Sequence, residues 1–251
     1  MVKGNGVEAL TEVVNSLLEK VVEVVARGGR GKILDLGCGD GKTGHKISNK
    51  GFEVHACDMD AARFLFHDVI PFKQGDLGGR LPYEDGTFDA VILMEVIEHV
   101  YNPDFVIAEI SRVLKKAGTL VLSTPNILNI GSRFRFLCEG SYDFFREPTL
   151  DYARCFPAGI QNMHVIPWRY QELEYLLERN SLSVAHYYVD QKKANLFLPA
   201  LIFRPILALQ SMIKAGRTRK KGGVDYSRMN RILLSWEILQ GKHLILEAVK
   251  R

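Results

Sequence analysis

Residues 33–44 read ILDLGCGDGKTG, a short apolar run that opens into a loop of alternating glycines. Ile33, Leu34 and Leu36 suit a strand buried on both faces. Gly37, Gly39 and Gly41 let the backbone turn and approach a ligand closely. A helix is expected from about Lys42, and strand, glycine turn and helix in succession begin a βαβ unit. The alternation continues outward. FEVHACD (52–58), FDAVILM (88–94), GTLVLST (118–124), LSVAHYYV (182–189) and KHLILEAVK (242–250) read as strands. Asn102-Pro103 starts a helix whose apolar face is Val106, Ile110, Val113 and Leu114, with Gly118 expected to end it. Residues 168–180 read as another helix. Leu10, Val14, Leu17, Val21 and Val24 mark a helix over 7–26, stopped by Gly28 and Gly29. Strands alternating with helices predict an α/β doubly wound sheet, read here as one domain over 1–251.

The glycine loop admits three ligands. A phosphate-cradling P-loop needs four residues between its first Gly and its Gly-Lys, and Leu36 stands where that Gly must be. Gly39 to Gly44 is a literal GxGxxG, with Asp58 about twenty residues on, as a dinucleotide site requires. Asp35 separates this reading from the third. A dinucleotide brings a dianionic pyrophosphate, which a carboxylate would repel. S-adenosylmethionine brings a sulfonium and an amino group, which a carboxylate attracts.

Four blocks together resemble the class I S-adenosylmethionine-dependent methyltransferases: ILDLGCGDGKTG, VHACDMD, QGDLGGRLPYEDGTFDAVILMEVIEHV and LKKAGTLVLSTPN, in that order. The resemblance covers roughly residues 30–190 and the last strand. It implies a Rossmann-like seven-stranded sheet whose last strand is antiparallel. It implies S-adenosylmethionine as cofactor, held by Asp35, Gly37, Gly39, Gly41 and Met94, with Asp58 on the ribose and Met59, Asp76 and Leu77 at the adenine.

MEVIEHV (94–100) is the second constellation. A helical turn there would put Glu95, Glu98 and His99 on one face, two carboxylates and an imidazole suited to a divalent cation. The simpler reading makes His99 a hydrogen-bonded wall of the site. The ubiquinone-pathway O-methyltransferases and the small-RNA 2′-O-methyltransferases carry a similar E-x-x-E-H. In the RNA enzymes a further His follows in a spacing that His164, Trp168, Glu172 and Leu173 match, and STPN with Asn129 resembles their TPN-x-x-N. The resemblance implies Mg²⁺ or Mn²⁺ on Glu95, Glu98, His99 and His164. Without metal, Glu95, His99 and His164 are the catalytic candidates. The run STPNILNIGSRFRFLCEGSYDFF also resembles bacterial methyltransferases of glycans and small molecules. No DPPY-type motif follows the fourth strand, which favours a hydroxyl acceptor. The expectation is O-methylation of a small-molecule, lipid-linked or glycan acceptor. RNA 2′-O-methylation and a noncatalytic cofactor-binding subunit are the alternatives.

Two segments break the alternation. Residues 126–166 are aromatic, with Phe134, Phe136, Tyr142, Phe144, Phe145, Tyr152 and Phe156, and are expected to cap the substrate side. Residues 191–240 are an α-helical insertion before the last strand, expected to act as a lid, a homodimer contact or a membrane-surface element. Its apolar run and following cations, 194–221, suit peripheral contact with anionic lipid. A net charge of +4 permits an anionic surface without requiring one. Cys38, Cys57, Cys138 and Cys155 lack metal-like spacing, so buried reduced thiols in a cytoplasmic protein are expected, and the first residues do not read as a signal peptide.

Overall fold

The computed structural model describes residues 4–28, 31–145, 164, 166–219 and 226–251. Tyr152, Cys155, Phe156, Lys220 and Lys221 lie outside the described residues, as does much of the expected cap. Helix α1 (Gly4–Arg27) leads into β1 (Lys32–Leu36) and α2 (Lys42–Ser48). Then come β2 (Glu53–Asp58), β3 (Phe72–Gln74), β4 (Phe88–Met94) and α3 (Pro103–Val113). Asn102 caps α3, its side chain accepting the Phe105 N–H, with Pro103 in the first turn. Gly118 does not end this helix. It stops at Val113, and β5 (Leu114–Pro125) begins with an irregular stretch where Ala117 takes φ +59° before pairing resumes at Thr119.

Beyond β5 lie α4 (Ile130–Glu139), α5 (Tyr170–Arg179), β6 (Leu182–Val189) and β7 (His243–Lys250). The seven strands run β3-β2-β1-β4-β5-β7-β6, with β7 antiparallel to both neighbours. Side chains alternate across β4. Val91 and Leu93 join Leu34, Ile110 and Leu173 on one face, while Ile92 joins Ile33, Val21 and Ile47 on the other. Helices thus cover both faces, as the doubly apolar strands require. Strand order reverses between β1 and β4, which opens a crevice at their carboxyl ends.

The insertion leaves from that same end. Beyond β6 and β7 the chain stays paired: Lys192 bridges Gly241, Lys193 N–H donates to the Gln240 carbonyl at 2.9 Å, and Lys242 N–H donates to the Gln191 carbonyl at 2.9 Å. A tight turn (Ala194–Leu196), α6 (Phe197–Arg219), α7 (Ser227–Leu233) and α8 (Trp236–Gln240) follow. Cys38 and Cys57 are buried as expected, but Cys138 is exposed on α4.

Candidate functional site

A cleft of about 650 Å³ occupies the β1–β4 crevice. Gly37, Gly39, Asp58, Met59, Asp76 and Leu77 line it, and Glu95 and His99 close its far end. Gly37 sits at φ +69°, where a Cβ would come within 2.6 Å of Val96. The loop can therefore press against the end of β4 only as glycine. Asp58 is fixed by two backbone donors: Gly39 N–H reaches Oδ2 at 2.8 Å and Asp60 N–H reaches Oδ1 at 3.0 Å. Asp76 Oδ1 accepts the Gly78 N–H at 2.8 Å.

Three residues expected at the ligand stand outside this lining. Asp35 lies beneath the loop, buried, with Oδ2 accepting the Gly44 N–H at 2.9 Å. Burial pushes its carboxyl up to about 7, with the Gly44 hydrogen bond opposing. Gly41, at φ +82°, packs against Phe64 and starts α2. Met94 takes the Thr43 hydroxyl on its sulfur at 3.9 Å.

Glu95 turns out of β4 at φ +53°, a conformation a non-glycine residue adopts only when its surroundings hold it. Ser123 is what holds it. Glu95 N–H donates to the Ser123 carbonyl (3.2 Å) and Oγ (3.1 Å), and the Ser123 hydroxyl donates to Glu95 Oε1 (2.9 Å). On the other side of the carboxylate, His243 Nε2 lies 3.7 Å from Oε2. Burial pushes Glu95 up to about 8, the Glu98 carboxylate adds to this, and His243 and Ser123 oppose it. His243 Nδ1 lies 2.8 Å from Asp190 Oδ2, and its N–H donates to Asp190 Oδ1 at 2.9 Å. Burial of Asp190 favours its neutral form, but the His243 hydrogen bonds and charge outweigh it and hold the carboxyl below its ordinary value. Ser123, Asp190 and His243 were not among the residues expected from sequence. The available signal was a pair of titratable residues at the two strand ends that flank the insertion.

The helical turn there spans only Ile97–His99, and Glu95 precedes it at positive φ, so the expected face of Glu95, Glu98 and His99 does not form. Instead Glu98, His99 and His164 converge, with their ligand-type atoms within 4.8 Å of one another. Backbone pinning brings His164 there: Ile166 N–H donates to the Glu98 carbonyl and the Trp168 indole N–H to the Ile97 carbonyl, both at 3.1 Å. Glu98 is fully buried. Oε2 accepts the Thr124 hydroxyl at 3.1 Å, whereas Oε1 has no hydrogen-bond partner among the described residues. Burial pushes Glu98 up to about 7, and burial and then His99 push His164 down to about 4. The other residues of the matching spacings have structural tasks. Glu172 closes a capping box with Arg169, Leu173 is core, Asn126 holds the Ile238 and Gly241 carbonyls, and Asn129 caps α4.

Residues 34–122 match a family model described as a methyltransferase domain. A ubiquinone biosynthesis O-methyltransferase of Xanthomonas oryzae pv. oryzae is 34% identical over 162 residues, 55% of this chain and 68% of that one. The chain belongs to the class I S-adenosylmethionine-dependent methyltransferases. A namesake from Caulobacter vibrioides is 30% identical over 144 residues, and there the match spans 51% of this chain and only 57% of the relative's length. A solved S-adenosylmethionine-dependent methyltransferase from Archaeoglobus fulgidus shares the fold at a TM-score of 0.57 and 16% identity, over 93% of this chain and 94% of that one.

In this methyltransferase the aromatic segment reaches the Glu95 end of the cleft. The Phe144 ring is 5.4 Å from His243 and 6.5 Å from His164, and Phe145 is 5.4 Å from His164. Lys193 and Lys242 lie over the Phe144 ring at 5.8 and 5.5 Å. Phe134 and Phe136 are directed elsewhere, the first to Phe203 and the second to Tyr142.

Proposed function

We propose that the protein transfers the methyl group of S-adenosylmethionine to a hydroxyl of a small, partly apolar acceptor. The observation that carries this reading is Glu95, which lines the cofactor cleft while His243 and Asp190 stand behind it. The cofactor supplies an electrophilic methyl group. The backbone at Gly37 and Gly39 approaches it closely, Asp58 takes the ribose hydroxyls, and Met59, Asp76 and Leu77 face the adenine. Methyl transfer needs an acceptor oxygen that is losing its proton and lies in line with the methyl carbon. Glu95 accepts that proton. Glu95 becomes neutral as it does so, and His243, held in orientation by Asp190, stands beside its carboxyl. Phe144 and Phe145 give the acceptor an apolar wall. The relatives named for ubiquinone biosynthesis O-methylation support a hydroxyl on a small or lipid-linked molecule.

A second reading concerns a cation. The buried Oε1 of Glu98, which has no hydrogen bond among the described residues and lies 3.8 Å from His164 Nε2, favours it. One carboxylate and two imidazoles suit Mn²⁺ or a similar ion better than Mg²⁺, which prefers oxygen. A cation there would lower the pKa of a bound hydroxyl. Glu95 stands outside this ligand set.

Radiolabelled S-adenosylmethionine incubated with the protein and fractionated cell extract tests the function. Label in the small-molecule or lipid fraction is the expected result. Label in RNA would replace the acceptor class with ribose hydroxyls. Cofactor binding with no label in any fraction would make the protein a noncatalytic subunit.

A further inference from the structure

Helix α6 presents two unlike faces. Ala200, Phe203 and Leu207 pack against Ile130, Leu239 and Trp236. On the opposite face Leu198, Leu201, Ile202, Ile206, Leu209 and Met212 are each at least half exposed. Their spacing forms one stripe along the helix. The stretch Ala194–Ile213 has a mean hydropathy of 1.8, and only 11% of it is buried. A core helix of this composition would be mostly buried.

The stretch contains one charged residue, Arg204, which stays exposed but is directed off the stripe, toward Leu234 and Trp236. Its Nε donates to the Leu234 carbonyl at 3.0 Å, and its guanidinium lies 5.0 Å from the Trp236 ring centre. The outer stripe is left without charge. The sequence then reads KAGRTRKK over 214–221, five cations and no acid. An apolar stripe followed by cations matches the acyl and headgroup layers of an anionic bilayer surface.

We propose that α6 seats the protein on an anionic lipid surface, lying in the interface with its outer stripe in the acyl boundary. It does not span the bilayer, because its inner face is committed to Ile130, Leu239 and Trp236 and lipid cannot surround it. A second copy of the chain is the weaker occupant: residues 194–221 hold no acid to answer the cations of a facing helix. The stem of the insertion adjoins the site. Lys193 Nζ lies 3.0 Å from Asp143 and over the Phe144 ring that faces His243. The lipid face and the acceptor wall therefore share one stem. The inference stands apart from the acceptor chemistry, since docking is read without methyl transfer.

The test is sedimentation of the full chain with vesicles of equal parts phosphatidylcholine and phosphatidylglycerol, and with phosphatidylcholine alone. The protein is expected to sediment with the anionic vesicles at low salt and to be partly released by high salt. Lys220→Glu with Lys221→Glu is expected to weaken binding by about fivefold or more for each charge reversed. Leu201→Glu with Leu209→Glu is expected to abolish it while S-adenosylhomocysteine binding persists, showing that the variant folds. Should the glutamate pair fail to fold, crosslinking of the unaltered protein by a photoactivatable lipid decides instead, and label within 198–212 supports the proposal. No sedimentation at low salt would overturn it, as would sedimentation that the glutamate pair leaves unchanged, or lipid label confined to other residues. A dimer that the same pair dissociates, with no vesicle binding, would assign the stripe to a second copy.

Discussion

Asp190 holds both the side chain and the backbone of His243: Oδ2 lies 2.8 Å from Nδ1, and Oδ1 accepts the His243 N–H at 2.9 Å. Asp190→Asn preserves the shape of this contact but removes the carboxylate charge that orients the imidazole. The expected result is a fall in kcat of about 10² or more, with S-adenosylhomocysteine affinity unchanged. Turnover within twofold of the unaltered protein would remove His243 from the chemistry.

Glu95 sits at about 8, so its carboxylate form grows as pH rises toward and past that value. A base that works deprotonated makes kcat/KM rise with pH and level off above about 8. Glu95→Gln should lower the rate and flatten this limb. A limb of the same midpoint in the variant would assign the titration to another group.

Asp35 titrates near 7 in the folded chain, against 3.8 when exposed. The folded state therefore binds more protons between those values, and unliganded stability falls as pH rises through that window. Asp35→Asn should remove that slope. A sulfonium favours the ionised carboxyl, so affinity for S-adenosylmethionine should rise across pH 7 more steeply than affinity for uncharged S-adenosylhomocysteine. Calorimetry with both ligands at pH 6 and pH 8 checks this, and equal slopes would break the electrostatic link.

S-adenosylhomocysteine at about 100 times its Kd should add roughly 2.7 kcal/mol of stability. NAD and ATP should add none. Asp58→Ala should lose most of the gain with the ribose hydrogen bonds. Tight NAD binding in a thermal-shift titration would return the loop to the dinucleotide reading.

Mn²⁺ should raise the Tm of the unaltered protein and leave that of Glu98→Gln unmoved, because the amide cannot supply an anionic ligand. The same shift in both proteins would place any bound ion elsewhere.

Six of the seven strands and the glycine loop were legible because their signals are local, whereas the short edge strand β3 (Phe72–Gln74) was missed because three residues carry no periodicity. Ile33, Leu34 and Leu36 put apolar side chains on both faces, and Gly37 and Gly41 mark positive φ. The partners behind Glu95 were not legible, because they assemble across the sheet. Glu95 meets Ser123 and His243 through strand register, with Pro125 paired to His243, and no spacing in sequence encodes that. The E-x-x-E-H run misled for a related reason. Its periodicity matches an α-turn, whereas only Ile97–His99 turn and Glu95 stands before them at positive φ, which leaves Glu98 and His99 to meet His164 without it. Asp35 was found by its charge, but its depth beneath the loop depends on the Gly44 N–H, one turn into a helix.

The ladder between β6 and β7 continues to Lys192 and Gly241 before the chain departs. The departing ends are therefore fastened side by side whatever runs between them, and loop closure grows by only about 0.6 kcal/mol for each doubling of length. The segment behaves as a socket. A different segment fitted there would leave Asp190 and His243, at the rim, in register with the sheet.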